Sequence, residues 1–341
     1  MGWLQGWNYR KSHEIEGSSA GAVTNYQVKV KVHYGSGSDS GEDVYLNEHC
    51  RTDFGDVRFT SSDGETLLDY WMEEKVDGDY AIFWVEVDSI PASPDTKTIY
   101  IYYGNPDATS ISNGEATFPF FDDFDVDLSK WTTISGTWSI SDSLLVSPSG
   151  DDTYIRTATY TMDNAAIRTK LRVTASTGCF ASLCSRFQDT SNYYRVEYTG
   201  PEYDKLIIWK RVGGTHTGLG DVIVVGDLEF HKIDFILNGS SLKAIFDDTD
   251  EVSATDETFS SGYIAYRKGG NSGDFRVDWI LVRNYVDPEP SHGAWGSEET
   301  YVAPIPIPIP VIVLPEPTYA KYFIPPQGLK YRRSVNKPPQ G

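Results

Sequence analysis

Six aspartates lie near the two ends of one segment of the chain, and clustered carboxylates are ligands that Ca²⁺ prefers. Four lie near its first apolar residues and two near or in its last apolar run: Asp122, Asp123, Asp125, Asp127, Asp274 and Asp278. If the first and last strands of this segment are neighbours, oxygens from both would hold a structural calcium ion. We therefore expect Asp122, Asp123 and Asp278 to bind calcium. The alternative is that these carboxylates only protect a sheet edge from pairing.

Aromatic residues form a second candidate site. They lie close together in the sequence with one arginine: Tyr193, Tyr194, Arg195, Tyr198, Tyr203 and Trp209. Alternation over residues 194–198 puts two tyrosines on a face typical of a core and Arg195 with Glu197 on the other. Exposed rings that stack on sugars, with polar side chains for the hydroxyls, would bind a glycan. The alternative is that the rings only pack. The residues we expect to bind are Tyr193, Arg195, Tyr203 and Trp209.

Catalytic patterns are nearly absent from the sequence. Two carboxylates a few ångströms apart on one strand could cleave a glycosidic bond, but the nearest string, 86–91, lacks a second glutamate. Residues 17–21 match a nucleophile elbow formally, yet a strand pattern follows a polar loop there instead of a helix. The six histidines have no metal-ligand spacing. We therefore expect no catalytic residues and a protein that is not an enzyme.

The elements that must position these residues are strands. Residues 25–32 alternate strictly, with Tyr26, Val28, Val30 and Val32 on one face. Further β-branched and aromatic runs occupy residues 82–87 and 98–103, and Gly- and Asn-containing turns separate them. The pattern predicts an all-β protein whose first domain, residues 1–117, is a small antiparallel β-sandwich.

A longer series of strand patterns follows from Phe118. Glycine-rich turns such as Asn238-Gly239 separate short apolar runs over about 180 residues, which is typical of a large sandwich of jelly-roll type. We assign residues 118–300 to this second domain. The predicted strands are 138–140, 168–174, 193–198, 206–211, 222–225, 231–237, 242–246, 263–266 and 275–283.

Residues 301–341 differ in composition and form an extended Pro/Ile-rich tail. Prolines alternate with isoleucines, which excludes a helix or a central strand and favours a polyproline-like rod. An extended apolar strip cannot bury itself, so we expect it to dock on its own body or on a neighbouring copy; a plain linker is the alternative. The residues expected to mediate assembly are Ile305, Ile307, Ile309, Ile312, Lys330, Arg332 and Arg333.

Net charge, cysteine count and the absence of long apolar runs limit the function classes that the sequence allows. The net charge of −20 disfavours binding to nucleic acid. Residues 301–341 carry a net charge of +4, which leaves −24 for the rest of the chain, the body.

Cys50, Cys179 and Cys184 are too few for a disulfide framework; Cys179 and Cys184 could close a small loop, or the thiols could be free and buried. No run is long enough to span a membrane, and no secretory leader is visible, so we expect a removed leader or delivery by assembly.

Several motifs together resemble an uncharacterised β domain of archaeal and bacterial surface proteins. They are Trp7-Asn8-Tyr9-Arg10, Asp56-Val57-Arg58-Phe59-Thr60, Phe83-Trp84-Val85 and Ile99-Tyr100-Ile101-Tyr102-Tyr103-Gly104-Asn105. That domain commonly precedes a concanavalin A-like (laminin G-like) jelly roll. The stretches Phe120-Phe121-Asp122-Asp123-Phe124 and Val277-Asp278-Trp279-Ile280-Leu281 are similar to the first and last strands of such a jelly roll. The resemblance implies the fold of residues 1–300 and assigns no activity to the first domain.

These observations favour a non-enzymatic structural surface or virion protein. It would self-assemble as a homo-oligomer through the tail, display a sandwich outward, and lie outside the cell, on a cell surface or in a virion. The alternative is a glycan-binding adhesin or receptor-binding module. A glycan hydrolase or lyase is a third hypothesis, which requires two convergent carboxylates in a groove.

Overall fold

A computed structural model describes residues 2–302 of the chain. Seven strands come first, and a short helix, α1 (Gly114–Thr117), follows them. The strands are β1 (Tyr9–Glu16), β2 (Val23–His33), β3 (Asp43–Tyr45), β4 (Arg58–Thr60), β5 (Tyr70–Val76), β6 (Tyr80–Ile90) and β7 (Thr96–Tyr103). They belong to two sheets that share one core, which is the small sandwich predicted from the sequence.

Alternation in the sequence decides which face of each strand is buried. In β2, Val28, Val30 and Val32 face the core, whereas Lys29 and Lys31 lie half-buried on the opposite face. β2 belongs to a four-stranded sheet with the order β3-β2-β6-β5. β1 pairs with β7 in the other sheet, which also contains β4. The apolar sides of the two sheets face each other across the core.

Fifteen further strands form the second sandwich. They are β8 (Phe120–Asp122), β9 (Trp131–Thr133), β10 (Ser139–Ser141), β11 (Leu144–Val146), β12 (Thr153–Met162), β13 (Ala165–Val173), β14 (Phe180–Asp189), β15 (Asn192–Tyr198), β16 (Lys205–Val212), β17 (Thr215–Ile223), β18 (His231–Asn238), β19 (Ser241–Phe246), β20 (Asp250–Thr255), β21 (Gly262–Gly269) and β22 (Phe275–Arg283). A 3₁₀ turn, Gly200–Glu202, lies between β15 and β16.

Two antiparallel sheets make up the second sandwich. One has the order β10-β11-β22-β13-β18-β19-β20, with β8 also paired to β22, and the other has the order β17-β16-β15-β14-β21-β12-β9. Their inner faces enclose a single large core. In β15, Tyr194, Val196 and Tyr198 belong to that core, as alternation predicted. The all-β, jelly-roll architecture expected from the sequence is therefore confirmed.

The chain returns to the first sandwich after β22. Strands β23 (Ser291–Trp295) and β24 (Glu299–Thr300) both pair with β1. The sequence analysis assigned these residues to the second domain. They instead complete a sheet of the first sandwich, because they pair with the edge of β1 that β7 leaves open. The division at residue 117 stays a prediction, because the described residues up to Tyr301 form one compact unit.

The two sandwiches meet through aromatic rings and buried charges. Trp71 of β5 packs edge-on against Trp279 of β22, with ring centroids 5.1 Å apart, and Phe118, Phe121 and Trp84 complete the cluster. This contact covers the outer face of the eight-stranded sheet near β22. The outer face of the seven-stranded sheet takes no part in the cluster.

Three smaller expectations can be compared with the described residues. The three cysteines are free and buried, so Cys179 and Cys184 do not close a loop. A search of residues 2–302 finds no helix that could cross a membrane. The tail residues expected to mediate assembly, Ile305 to Arg333, lie outside the described residues.

Candidate functional site on the outer face of the seven-stranded sheet

The outer face of the seven-stranded sheet carries polar and aromatic side chains in register across neighbouring strands. In one row, Arg267 of β21, Ser182 of β14, Glu197 of β15 and Ile207 of β16 lie side by side. Their sequence neighbours alternate into the core, so these side chains point away from it. The sheet register, not sequence proximity, thus assembles this row.

Glu197 lies at the centre of the face and accepts three hydrogen bonds on one oxygen. Ser182 Oγ donates to Oε2 at 2.9 Å, Arg195 Nε at 3.1 Å and Arg267 Nη1 at 3.3 Å. All four residues are buried. A carboxylate held by two guanidinium groups stays in place, and it fixes the orientation of both arginines.

A second carboxylate, that of Asp152, holds Arg267 from its other side. Asp152 accepts hydrogen bonds from Arg267 Nε at 2.7 Å and from the Tyr154 hydroxyl at 2.5 Å, and Arg211 approaches it at 3.2 Å. Burial alone would raise the pKa of Asp152, but these hydrogen bonds and the two arginine charges lower it to about 2. Asp152 is therefore charged at neutral pH.

Trp209 covers the next row of the face. It pairs with Arg195 on one side and with Gly218 on the other, and the Arg195 guanidinium lies 5.1 Å from the indole centroid. A Cβ at Gly218 would lie 3.4 Å from the indole ring, so glycine keeps the space beside the ring open. This leaves a partly exposed indole beside charged hydrogen-bond donors, an arrangement suited to a ring-shaped polar ligand.

His216 lies at the rim of the same row and accepts a hydrogen bond. Arg195 Nη1 donates to its Nδ1 at 2.7 Å. Burial and the positive charges of Arg195 and Arg211 lower the pKa of His216 to about 4. At neutral pH the imidazole is uncharged, and its ring is free to contact a ligand without attracting anions.

Two aromatic rings mark the other end of the face. Phe180 of β14 and Tyr203, which follows the 3₁₀ turn, lie with ring centroids 5.9 Å apart, and 57% of Tyr203 is exposed. Gly269 faces Phe180 on β21, and a Cβ there would lie 2.7 Å from Arg267 Nη1. A larger residue at that position would require the Arg267 guanidinium to move.

The four residues predicted to bind a glycan share the face but differ in position and burial. Arg195 and Trp209 lie together at the centre of the face and Tyr203 lies at one end. Tyr193 shares the face, but its ring is fully buried beside Tyr154 and Phe187, so it cannot stack on a ligand. Burial on the outer face follows from packing by neighbouring strands, which alternation alone does not show.

Sequence reasoning missed most of the polar centre. Glu197 was placed on the correct face but given no role, and Ser182, Arg267, Asp152, His216 and Phe180 were not singled out. The two-residue spacing of Arg195 and Glu197 was the one signal that could have pointed to the site. The others come from strands whose pairing is decided only by the fold.

The expected calcium ligands do not converge in the described residues. β8 and β22 are neighbours as required, and Asp122 pairs with Ile280. However, Trp131 Nε1 and the Phe124 amide donate to the two Asp122 oxygens at 2.7 and 2.9 Å, and Asp278 forms an ion pair with Lys170 at 2.8 Å. Within residues 2–302, no group of three potential ligands is arranged to hold a metal. Calcium binding therefore stays a prediction without geometric support.

Comparison with known sequences identifies one part of the chain. Residues 53–134 match the family described as a domain of unknown function, DUF2341. This bears out the resemblance to an uncharacterised domain, and the match runs from the first sandwich into β9 of the second. A search of curated proteins returns no match.

Comparison with solved structures returns sandwiches that are similar to part of this chain. A carbohydrate-binding module, CBM66, from Bacillus subtilis has a TM-score of 0.39 and 18% identity, over 46% of this chain and 94% of that one. A β-glucanase from Bacillus licheniformis has a TM-score of 0.40 and 14% identity, over 49% and 98%. A β-1,3-1,4-glucanase from a mouse hindgut metagenome has 0.39 and 13%, over 49% and 99%.

These matches correct one expectation from the sequence. Glycoside hydrolases are among the structures similar to its sandwich, which contradicts the prediction that the protein is not an enzyme; the similarity assigns no catalytic role to this chain. The absence of a recognisable catalytic string was the basis of that prediction. Such a string contains only carboxylates on one strand, whereas Asp152 in the turn before β12 and Glu197 on β15 both accept hydrogen bonds from Arg267.

Proposed function

We propose that the outer face of the seven-stranded sheet binds a carbohydrate. Trp209 and Tyr203 would stack on sugar rings, and the exposed His216 would contact hydroxyl groups. The buried Arg195, Arg267 and Glu197 would hold Trp209 and His216 in place. Carbohydrate is the ligand class named for the CBM66 module that this chain is similar to. The proposal itself rests on the geometry of the face.

The observation that carries the proposal is the combination of a partly exposed indole with fixed polar groups. Arg195 lies over the Trp209 indole, and the same guanidinium is held by Glu197 and His216. Sugars present apolar C–H faces and a rim of hydroxyls, so they need an aromatic surface beside oriented donors and acceptors. A site prepared in this way loses little conformational entropy when a ligand binds.

The length of the face favours an oligosaccharide. Trp209 and Lys205 are four residues apart on β16, which corresponds to about 13 Å along a strand, and Tyr203 lies beyond Lys205. A ligand that contacts both aromatic ends must be longer than one sugar ring. Weak binding of monosaccharides and stronger binding of oligosaccharides follow from this spacing.

Binding is tested on the full chain with a glycan array, followed by isothermal titration with the oligosaccharide that gives the strongest signal. We expect Trp209→Ala to weaken binding about 5- to 150-fold, because truncation of a central aromatic contact costs about 1–3 kcal/mol in binding. The same samples are assayed for released reducing ends, which reports cleavage separately from binding.

Phe230→Ala is the matched control, since Phe230 is a half-buried ring beside Lys170 and Arg172 of the other sheet. It should leave the affinity unchanged. Absence of any glycan signal for the full chain, or an equal loss of affinity in both variants, would contradict the proposal.

We further propose, on sequence grounds, that residues 301–341 mediate assembly and that the protein acts outside the cell, on a cell surface or in a virion. The tail combines a net charge of +4 with alternating proline and isoleucine, and the body carries −24. Opposite charges would draw the tail of one copy to the body of another.

A further inference from the structure

Strand β17 forms an edge of the seven-stranded sheet and is long and almost uncharged. It contains nine residues, and among the described residues it pairs only with β16. Its charged side chain, Asp221, forms an ion pair with Lys205 at 2.8 Å, and His216 accepts from Arg195. An edge strand of this length exposes unpaired backbone groups that can pair with another strand.

The other sheet edges in residues 2–302 are protected. β3, β4, β9 and β10 contain three residues each, and β23 contains five. The two longer edge strands are charged: β20 carries Asp250 and Glu251, and β5 carries Glu73, Glu74 and Lys75. Short length and charge both discourage pairing between molecules, whereas β17 is nine residues long and carries one acidic residue, Asp221, which is paired with Lys205.

Exposed apolar side chains extend the unprotected edge. Ile223, the last residue of β17, is 74% exposed, and Val225 is 62% exposed. Tyr203 lies near them, because the Val224 amide donates to the carbonyl of Asp204 at 2.9 Å. An apolar cluster of this kind next to a free edge is typical of a protein interface.

We propose that two copies of this chain associate by antiparallel pairing of β17 with β17 of the second copy. A partner must offer an unprotected edge of its own, and the edge that this chain offers is β17. Antiparallel pairing of identical strands creates a two-fold axis, so the contact closes after two copies and leaves no free long edge. Each copy carries a net charge of −20, so two copies repel each other. Because β17 carries little charge, this repulsion is weaker where the two β17 strands would meet.

The dimer would join the two seven-stranded sheets into one. Trp209 and His216 lie on the two strands next to the axis, so both candidate carbohydrate faces would lie on one continuous surface. The pairing itself does not depend on carbohydrate binding. If the proposed function also holds, two linked sites would bind a multivalent glycan more strongly than one.

Sedimentation equilibrium of the full chain over a range of concentrations tests the proposal. Two substitutions introduce charge without harm to the monomer: Thr217→Glu and Ile223→Glu place a carboxylate opposite Lys210 and Lys205 of β16. In a dimer whose two-fold axis passes beside Gly220, residue 217 of one copy lies opposite residue 223 of the other, so the new carboxylates of the two copies lie near each other. We expect the double variant to weaken the dimer at least tenfold at low salt, with part of the loss restored at 0.5 M salt, about where screening becomes strong.

Thr255→Glu is the control for each of the two single substitutions, because it also adds one carboxylate, at the exposed end of edge strand β20. It should leave the dimer unchanged, and circular dichroism of all variants verifies the fold. A wild-type chain that is monomeric at every concentration overturns the proposal, as does a dimer that both kinds of variant weaken equally. If Trp209→Ala loses carbohydrate binding but remains a dimer, dimerisation does not depend on the carbohydrate site.

Discussion

At the scale of single residues, buried charges connect elements that are distant in sequence. Arg168 of β13 lies between the two sandwiches, where its guanidinium contacts Asp234 at 2.9 Å, Asp248 at 2.8 Å and Glu73 of β5 at 3.4 Å. Arg168, Glu73 and Asp234 are buried. Removal of the arginine would therefore leave Asp234 buried without its ion-pair partner.

Arg168→Met should lower the free energy of unfolding by about 3 kcal/mol, because buried Asp234 loses its ion-pair partner, whereas Glu73 keeps Lys232 at 3.2 Å. Urea unfolding followed by tryptophan fluorescence measures the change, since Trp71, Trp84 and Trp279 lie at the same contact.

Lys170→Met on the same strand is the control for Arg168→Met. Lys170 pairs with Asp278 at a partly exposed position, so its loss should cost less than about 1 kcal/mol. Equal costs for the two substitutions would show that Arg168 does not connect the sandwiches.

At the scale of elements, the pairing of β1 with β23 contains two stacked histidines. His13 Nε2 and His292 Nδ1 are 2.8 Å apart, and the His13 ring stacks on Trp295 at 3.7 Å between centroids. Burial, with the neighbouring His292, lowers the pKa of His13 to about 3, and burial also lowers that of His292. Protonation of either ring would place a charge inside this strand pair.

The pair predicts a loss of stability in acid. Between pH 6.5 and about 3 the unfolded chain takes up a proton at His13 that the folded chain does not, so the free energy of unfolding falls as the pH falls. For one histidine the slope is about 1.4 kcal/mol per pH unit. His13→Phe keeps the ring against Trp295 and should remove this part of the slope. Parallel pH profiles of the two proteins in urea unfolding would contradict the assignment.

At the scale of the whole molecule, the position of β24 decides where the tail can be removed. Arg10 binds Glu299 at 2.7 Å, and the Tyr301 amide donates to the Asn8 carbonyl at 2.8 Å. A truncation inside this segment would damage the first sandwich as well as remove the tail. The compact unit extends to Tyr301, so the cut must follow that residue.

A chain that ends at Tyr301 tests assembly through the tail. If the tail joins copies, light scattering of the full chain should show particles larger than a dimer, and the truncated chain should give only the dimer expected from β17. The urea midpoint of the truncated chain provides the control for folding. Equal masses for both chains would contradict a role of the tail in assembly.

Local patterns in the sequence determined much of the fold. Alternation of apolar residues predicted β2 and the inward face of β15, since a strand has a period of two residues and one face must be buried. Glycine-containing turns separated the strands of the second sandwich, and the patterns showed that this protein is all-β. For the candidate site, the sequence identified Arg195, Trp209 and Tyr203.

Only the tertiary structure decided which side chains meet. Ser182, Glu197 and Arg267 come from three strands, and Asp152 precedes a fourth, so long-range register brings them together. The same long-range pairing returned β23 and β24 to β1, left β17 as an unprotected edge, and buried Tyr193. Strand pairing depends on contacts between residues far apart in the chain, whereas alternation depends only on neighbours. The sequence therefore determined the strands and their buried faces, and the fold determined the site.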